Sequence, residues 1–142
     1  EQLKNLKKIQ KKRENISKNY FDLITKYQDY FDYFYPSKNI KSAWYRFYFF
    51  LKTDIKNYKK IRFKIIKDLR KNNLKCFTGS CPEIYLEKAF KKLKNFKSIK
   101  LKNCKILGET SIALEVNHTL DYSQHKKKLL ILNRVIKKTL QI

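Results

Sequence analysis

Thr78-Gly79-Ser80-Cys81-Pro82-Glu83-Ile84-Tyr85-Leu86-Glu87-Lys88-Ala89-Phe90 is the stretch on which the reading of this chain turns. Gly79 to Glu83 has the composition of a turn. Ser80 and Glu83 stand at capping-box spacing, and Pro82 falls in a first helical turn, where a missing N–H costs nothing, so a short helix through about Phe90 is predicted. Immediately upstream, Leu74 to Thr78 reads as a short strand. Asn73 closes a preceding helix, because Asn tolerates the left-handed conformation of the C′ position. That helix runs from about Tyr58 to Asn72, with Ile61, Ile65, Ile66 and Leu69 inward. Downstream, Lys91 to Leu107 reads as partly helical. Thr110 to Asn117 alternates Ile112, Leu114 and Val116 against Ser111, Ala113 and Glu115, which is a strand pattern. Asp121 with Gln124 forms a second cap pair and opens a final helix to about Leu140, with Leu129, Leu132, Val135, Ile136 and Leu140 apolar.

Further out, residues 1–30 read as one long amphipathic helix. Leu3, Leu6, Ile9, Ile16, Tyr20, Leu23, Ile24 and Tyr27 recur at helical spacing against a face of Lys, Asn and Glu. Pro36-Ser37-Lys38-Asn39 breaks it. Ser42 to Leu51 is the strongest strand signal. Alternation sets Trp44, Arg46, Tyr48 and Phe50 on one side and Tyr45, Phe47, Phe49 and Leu51 on the other, so both sides are expected to be covered. The order of elements predicts an α/β domain of α+β type: a small sheet of about three short strands, helices gathered on one face, and a long N-terminal helix.

Length and composition bound the rest. The 142 residues fit one domain, residues 1–142, and with 42% apolar content and ten each of Tyr and Phe they can pack a core rather than stay disordered. The densest apolar run, Trp44 to Leu51, is interrupted by Arg46 and falls short of the roughly 18 apolar residues a membrane helix needs. The opening Glu1-Gln2-Leu3-Lys4 lacks a signal-peptide pattern and reads as a chain entered in mid-helix. Cys76, Cys81 and Cys104 are odd in number and irregular in spacing, so neither zinc nor a disulfide framework is expected; reduced thiols in a cytoplasmic protein are the default.

The net charge of +23 invites a nucleic-acid reading. Its excess is nearly all Lys, however, with Arg only at positions 13, 46, 62, 70 and 134. Lys, Asn, Ile, Phe and Tyr are raised together while Gly, Ala and Pro are scarce, the joint bias an AT-rich coding sequence produces on tolerant surfaces. Readers of nucleic acid favour Arg for bidentate contacts. A small basic module for nucleic acid or another polyanion therefore stands as the alternative reading, and a non-catalytic interaction domain as a third.

Three segments together resemble the C-terminal part of the DegT/DnrJ/EryC1/StrS family of sugar aminotransferases. They are Gln2-Leu3 through Arg13 with Tyr20; Ser42-Ala43-Trp44-Tyr45-Arg46-Phe47-Tyr48; and the Cys76–Phe90 run followed by Leu107-Gly108-Glu109-Thr110-Ser111. Two positions depart from the family pattern: Asn73 stands where Gly is frequent, and His118 where Pro is usual. The resemblance implies a pyridoxal-phosphate (PLP) enzyme that moves an amino group, usually from glutamate, onto a nucleotide-linked keto sugar for cell-surface polysaccharide. It implies a homodimer, with residues 1–142 as the C-terminal small domain. PLP and its Schiff-base lysine would belong to a large domain absent from this chain, which alone would be inactive; no lysine here stands in a matching context.

By the same resemblance Tyr45 lies where relatives place a His or Tyr facing the sugar nucleotide, against the plainer reading of a core aromatic. Arg46, the sole charge inside its strand, suits a diphosphate or carboxylate, or the strand's rim. Gly79 and Ser80 form a turn whose free N–H groups could receive an anion, or an ordinary cap. Tyr85 could line the same pocket, while Glu83 is expected as an N3 cap. Glu109 is assigned a capping or pairing role, and His118 and His125 are placed in turns or at the surface. No catalytic residue and no metal ligand is expected, and no membrane partner.

Overall fold

The computed structural model describes residues 2–79, 82–92 and 101–142. Helix α1 (Leu6–Ile24) follows a short 3-10 turn and leads to strand β1 (Phe31–Tyr33) and strand β2 (Arg46–Leu51). Helix α2 (Tyr58–Lys71), strand β3 (Cys76–Phe77), a 3-10 turn (Ile84–Leu86) and helix α3 (Lys88–Lys91) come next. Helix α4 (Lys102–Thr110), strand β4 (Ser111–Glu115) and helix α5 (Tyr122–Leu140) complete the order. The sheet has four strands in the order β1-β2-β4-β3, and each adjacent pair is antiparallel.

Register sorts the sheet into two faces, because successive side chains point to opposite sides. Phe47 lies opposite Leu114 and Phe49 opposite Ile112. These side chains are fully buried, together with Leu51. They form one apolar cluster with Ile16, Tyr20 and Ile24 of α1, Ile65, Ile66 and Leu69 of α2, and Leu132, Val135 and Ile136 of α5. Each side chain buried this way contributes roughly 1.5–3 kcal/mol, so the three long helices are held by the sheet face they cover. Phe31 of β1 closes the cluster edge-on to Phe49, with ring centroids 5.1 Å apart.

Several local signals translate directly. Asn73 adopts a left-handed φ of 58°. Its N–H reaches Arg70 O at 3.0 Å and Leu74 N–H reaches Leu69 O at 3.0 Å, the paired bonds that finish a helix at a left-handed C′ residue. At the start of α5, Asp121 accepts from Gln124 N–H at 2.7 Å and the Gln124 side chain accepts from Asp121 N–H at 3.1 Å, a complete capping box.

Other expectations are corrected. The long first helix ends at Ile24 rather than near residue 30, and β1 supplies a fourth strand from residues 31–33, to which the sequence reading assigned no element. The aromatic strand starts at Arg46, not Ser42, because Trp44 takes a left-handed φ of 46°. That twist reverses the alternation before the strand: Trp44 turns into the core against Tyr35 and Phe47, and Tyr45 turns out, 72% exposed. The expected strand over Leu74–Thr78 shortens to Cys76–Phe77, and Thr110 ends α4 instead of opening β4. The Ser80–Glu83 cap pair rests on Ser80, outside the described residues; Glu83 itself precedes the 3-10 turn Ile84–Leu86. His125 is buried, packed edge-on to Tyr20 at 5.3 Å, rather than at the surface. Cys76 is buried and Cys104 half-buried, both as free thiols. Ser80 and Cys81 lie outside the described residues. Among the described residues no helix is long and apolar enough to cross a membrane.

Candidate functional site

The face of the sheet turned away from the long helices carries Arg46, Tyr48 and Phe50 of β2, which alternate with the buried Phe47, Phe49 and Leu51. Across the strands Arg46 faces Glu115, Tyr48 faces Ala113, Phe50 faces Ser111, and Phe77 of β3 also faces Ala113. Two hollows lie at opposite ends of this face.

At the Arg46–Glu115 end, a hollow of about 240 Å³ is lined by Arg13, Tyr45, Arg46, Phe77, Asn117 and His118, among others. The Arg46 guanidinium sits 4.1 Å above the Phe77 ring and 5.4 Å from that of Tyr45. An arginine over an aromatic face keeps its edge donors free for another acceptor. Glu115 is bound instead by Lys75 at 3.5 Å and Lys128 at 3.4 Å.

At the other end, Tyr48, Phe50, Gly79, Pro82, Leu107 and Gly108 line a hollow of about 220 Å³. Both glycines of the chain stand here. Gly79 has a φ of 88°, and a Cβ on it would sit 2.9 Å from Ser111 Oγ; a Cβ on Gly108 would sit 2.1 Å from Pro82 Cγ. Close approach of α4 to Pro82 and of the turn to β4 therefore excludes a side chain at either position. The Ser111 hydroxyl donates to Thr78 O at 2.6 Å. Arg62 of α2 donates from Nε to Ser111 O at 2.8 Å and from Nη2 to Thr78 O at 3.1 Å, tying both margins of the turn to one side chain. Burial lowers the Arg62 pKa from its ordinary value, and Glu109 opposes that shift. Glu109 accepts from Lys59 Nζ at 2.8 Å and from the Tyr58 hydroxyl at 3.0 Å, the pairing role expected for it.

The expected site residues are thus divided. Tyr45 and Arg46 share the first hollow, and Gly79 lines the second. Tyr85 stands on the segment after Pro82, donating to Glu83 Oε1 at 2.7 Å and accepting from Leu101 N–H at 3.3 Å. That bond to Glu83 is the largest cause raising the Tyr85 phenol pKa. Ser80 lies outside the described residues. Sequence reasoning missed Arg13, Tyr48 and Arg62. Tyr48 was legible from its strand phase, since it shares a side with Arg46; Arg13 and Arg62 sit on Lys-rich helices whose polar positions read as solvated. A further hollow, about 740 Å³, lies between α1 and the segment before β2, with Lys7, Lys11, Lys38 and Lys41 around Tyr35 and Trp44.

Solved structures share this architecture. An aminotransferase from Psychrobacter cryohalolentis superposes with a TM-score of 0.87 at 26% identity, covering 98% of this chain and 37% of its own. A DegT DnrJ EryC1 StrS aminotransferase from Brucella abortus gives 0.70 at 14% identity, covering 93% and 32%. The chain is similar in fold to the C-terminal part of DegT/DnrJ/EryC1/StrS-type sugar aminotransferases. A putative sugar aminotransferase from Streptococcus pneumoniae, in its PMP form, gives 0.79 at 16% identity, covering 97% and 33%. The chain spans about a third of the length of these relatives. No family model and no curated protein sequence matches it.

The Streptococcus structure is in its PMP form, and a further neighbour, an E coli GDP-4-keto-6-deoxy-D-mannose-3-dehydratase, holds hydrated pyridoxal phosphate. A Schiff-base lysine is activated by desolvation or by a neighbouring cation. No lysine among the described residues is buried, and Lys59, hydrogen-bonded to Glu109, has its pKa raised rather than lowered. The described residues therefore do not fit the role of holding this cofactor. Nor do any three His, Cys, Asp or Glu side chains among them come together to hold a metal.

Proposed function

We propose that this chain is the C-terminal small domain of a PLP-dependent aminotransferase acting on a nucleotide-linked keto sugar, with glutamate as amino donor, in the building of cell-surface polysaccharide. The observation that carries the reading is the likeness over 98% of the chain to the Psychrobacter aminotransferase. The open sheet face is its substrate side. Tyr45, outward beside Arg46, offers a hydroxyl to the sugar, and Arg46 offers paired donors to an anionic group. The Gly79 turn, held by Ser111 and Arg62, forms a wall of fixed shape, and Tyr85 with Glu83 steadies the segment that follows. The chain's part is to bind and orient substrate and to exclude water. The cofactor, its lysine and the proton transfers belong to a large domain outside this chain. A cytoplasmic homodimer completes the proposal.

The basic-module alternative has less support. Exposed lysines occur on α1, α2, α4 and α5 alike, a spread that suits a solvated surface. The test is to express the reading frame extended upstream and supply PLP, glutamate and a panel of nucleotide keto sugars. Formation of 2-oxoglutarate with an aminated sugar is expected from the extended protein and none from residues 1–142 alone. Turnover and a bound-PLP absorption band in the 142-residue chain would refute the division of labour. Tight DNA binding that falls steeply with salt would favour the alternative.

A further inference from the structure

Four exposed lysines, Lys7, Lys11, Lys38 and Lys41, surround the 740 Å³ hollow between α1 and the segment before β2, and Glu14 is the one acid lining it among the described residues. None of the four forms an ion pair among those residues. Exposed lysine by itself calls for no function in this chain; what these four enclose does. Lys7, Lys11 and Glu14 lie on one stripe of α1, about 10 Å long at roughly 1.5 Å per residue. Across from it stand Pro36, Ile40, Tyr35 and Trp44. Ile40 is 59% exposed, an aliphatic side chain open to the hollow. Lysine stems add apolar wall while their ammonium groups stay in water. Apolar surface is thus ringed by positive charge that the protein leaves unpaired.

The rings decide between two kinds of polyanion. Single-stranded nucleic acid stacks its bases on open aromatic faces. Here Tyr35 packs against Phe21 and Trp44, with ring centroids 4.6 and 5.1 Å apart, and Trp44, 8% exposed, stacks on Phe47. The aromatic faces are engaged with one another and with the core. No arginine lines the hollow among the described residues, although arginine is the residue suited to phosphate and base edges. Aliphatic surface within a lysine ring suits carboxylates flanking an apolar side chain.

We infer that this hollow docks an acidic peptide segment of a partner protein, with an apolar side chain seated against Ile40 and Pro36 and carboxylates among the four ammonium groups. The charge ring steers and orients the segment, and the apolar anchor holds it. The volume falls in the range of about 300–1,000 Å³ common to binding pockets. The inference does not depend on the substrate reading.

Trp44 is the only tryptophan of the chain, so its emission reports on this hollow. The test is titration of the 142-residue chain, at about 0.15 M salt so that diffuse attraction is screened, with a synthetic peptide alternating glutamate and leucine. Saturable binding with a shift in Trp44 emission is expected. A glutamate-only peptide of equal charge should bind about tenfold more weakly. Lys7→Gln combined with Lys41→Gln should weaken the mixed peptide by about fivefold or more, and Ile40→Ser should reduce it to the level of the glutamate-only peptide. Lys64→Gln combined with Lys67→Gln on α2 should change it by less than about twofold. Unchanged amide spectra would show that the variants fold. Absence of saturable binding, equal binding of the two peptides, or equal losses in the α2 variant would overturn the site in favour of diffuse attraction to a basic surface. Oligothymidylate binding as tightly, with the same Trp44 shift, would overturn the peptide in favour of nucleic acid. Binding of the labelled mixed peptide that disappears in a protein extended upstream would overturn the separate partner in favour of the extension itself.

Discussion

The two faces of β2 differ in what covers them. Phe47, Phe49 and Leu51 are buried beneath three helices, while Arg46, Tyr48 and Phe50, one residue out of phase, are only half covered. Both sides are rich in aromatic and apolar groups, so hydrophobicity alone does not separate them. What separates them is the partner. The inner face is filled by α1, α2 and α5. The outer face carries two hollows, one of them lined by both glycines, and an arginine that no acid pairs among the described residues. One side of the strand specifies the fold; the other is left shaped but unfilled, as a binding surface is.

Substitutions on the two faces should therefore differ in kind. The largest loss is expected for Phe47→Ala, which opens a cavity among Trp44, Tyr20 and Phe49 and should cost about 3–5 kcal/mol by urea unfolding. A loss below about 1 kcal/mol would mean that the inner face is not the stabilising one. Next is Gly108→Ala, whose new methyl meets Pro82. Overpacking there should cost about 1–3 kcal/mol and shift amide signals of the Pro82–Leu86 segment while leaving α1 and α5 unmoved. Tyr45→Phe, on the exposed rim, should stay within about 0.5 kcal/mol of the parent yet lower affinity for nucleotide sugar. Equal affinity would remove Tyr45 from the site.

His125 sharpens the comparison from the inner side. Burial is the first cause lowering its pKa, followed by Lys128. It also lies in the first turn of α5, where the helix dipole disfavours a cation. Among the described residues neither ring nitrogen has a hydrogen-bond partner. The folded chain thus holds the neutral imidazole more firmly than the unfolded chain, whose histidine titrates near about 6.5. Its contribution is complete above that value and is lost as pH falls below it, because the unfolded state then takes up the proton first. His125→Phe keeps a ring against Tyr20 and should flatten the stability profile between neutral and mildly acidic pH. An unchanged slope would assign the acid sensitivity elsewhere.

What the sequence made legible follows the range of the interactions involved. Asn73 ending α2 and Asp121 with Gln124 opening α5 are local events, complete within a few residues, and each was readable. Strand β1 was not. Its three residues, Phe31–Tyr33, are too few to set a period, and they become a strand only by pairing with Phe49–Leu51, far along the chain. The phase of Tyr45 was hidden because a positive φ at Trp44 breaks the alternation on which the reading relied. Ser80 and Glu83 had the spacing of a cap, and the structure adds a contact this spacing did not announce, the Tyr85 hydroxyl donating to the Glu83 carboxylate. In the site, the aromatic-strand motif pointed to Tyr45 and Arg46, and the glycine turn to Gly79. Arg13 stayed unseen because a lone arginine on a lysine-rich helix looks solvated until the fold brings it to the end of β2.

The account rests on the outer face of the sheet being the side that meets substrate. The direct measurement is backbone amide shifts of the labelled chain during titration with nucleoside diphosphates. Saturating changes confined to Tyr45–Arg46, Phe77–Gly79 and Asn117–His118 are predicted. Changes spread over the exposed lysines of α2 and α5, with the β2 strand silent, would contradict it.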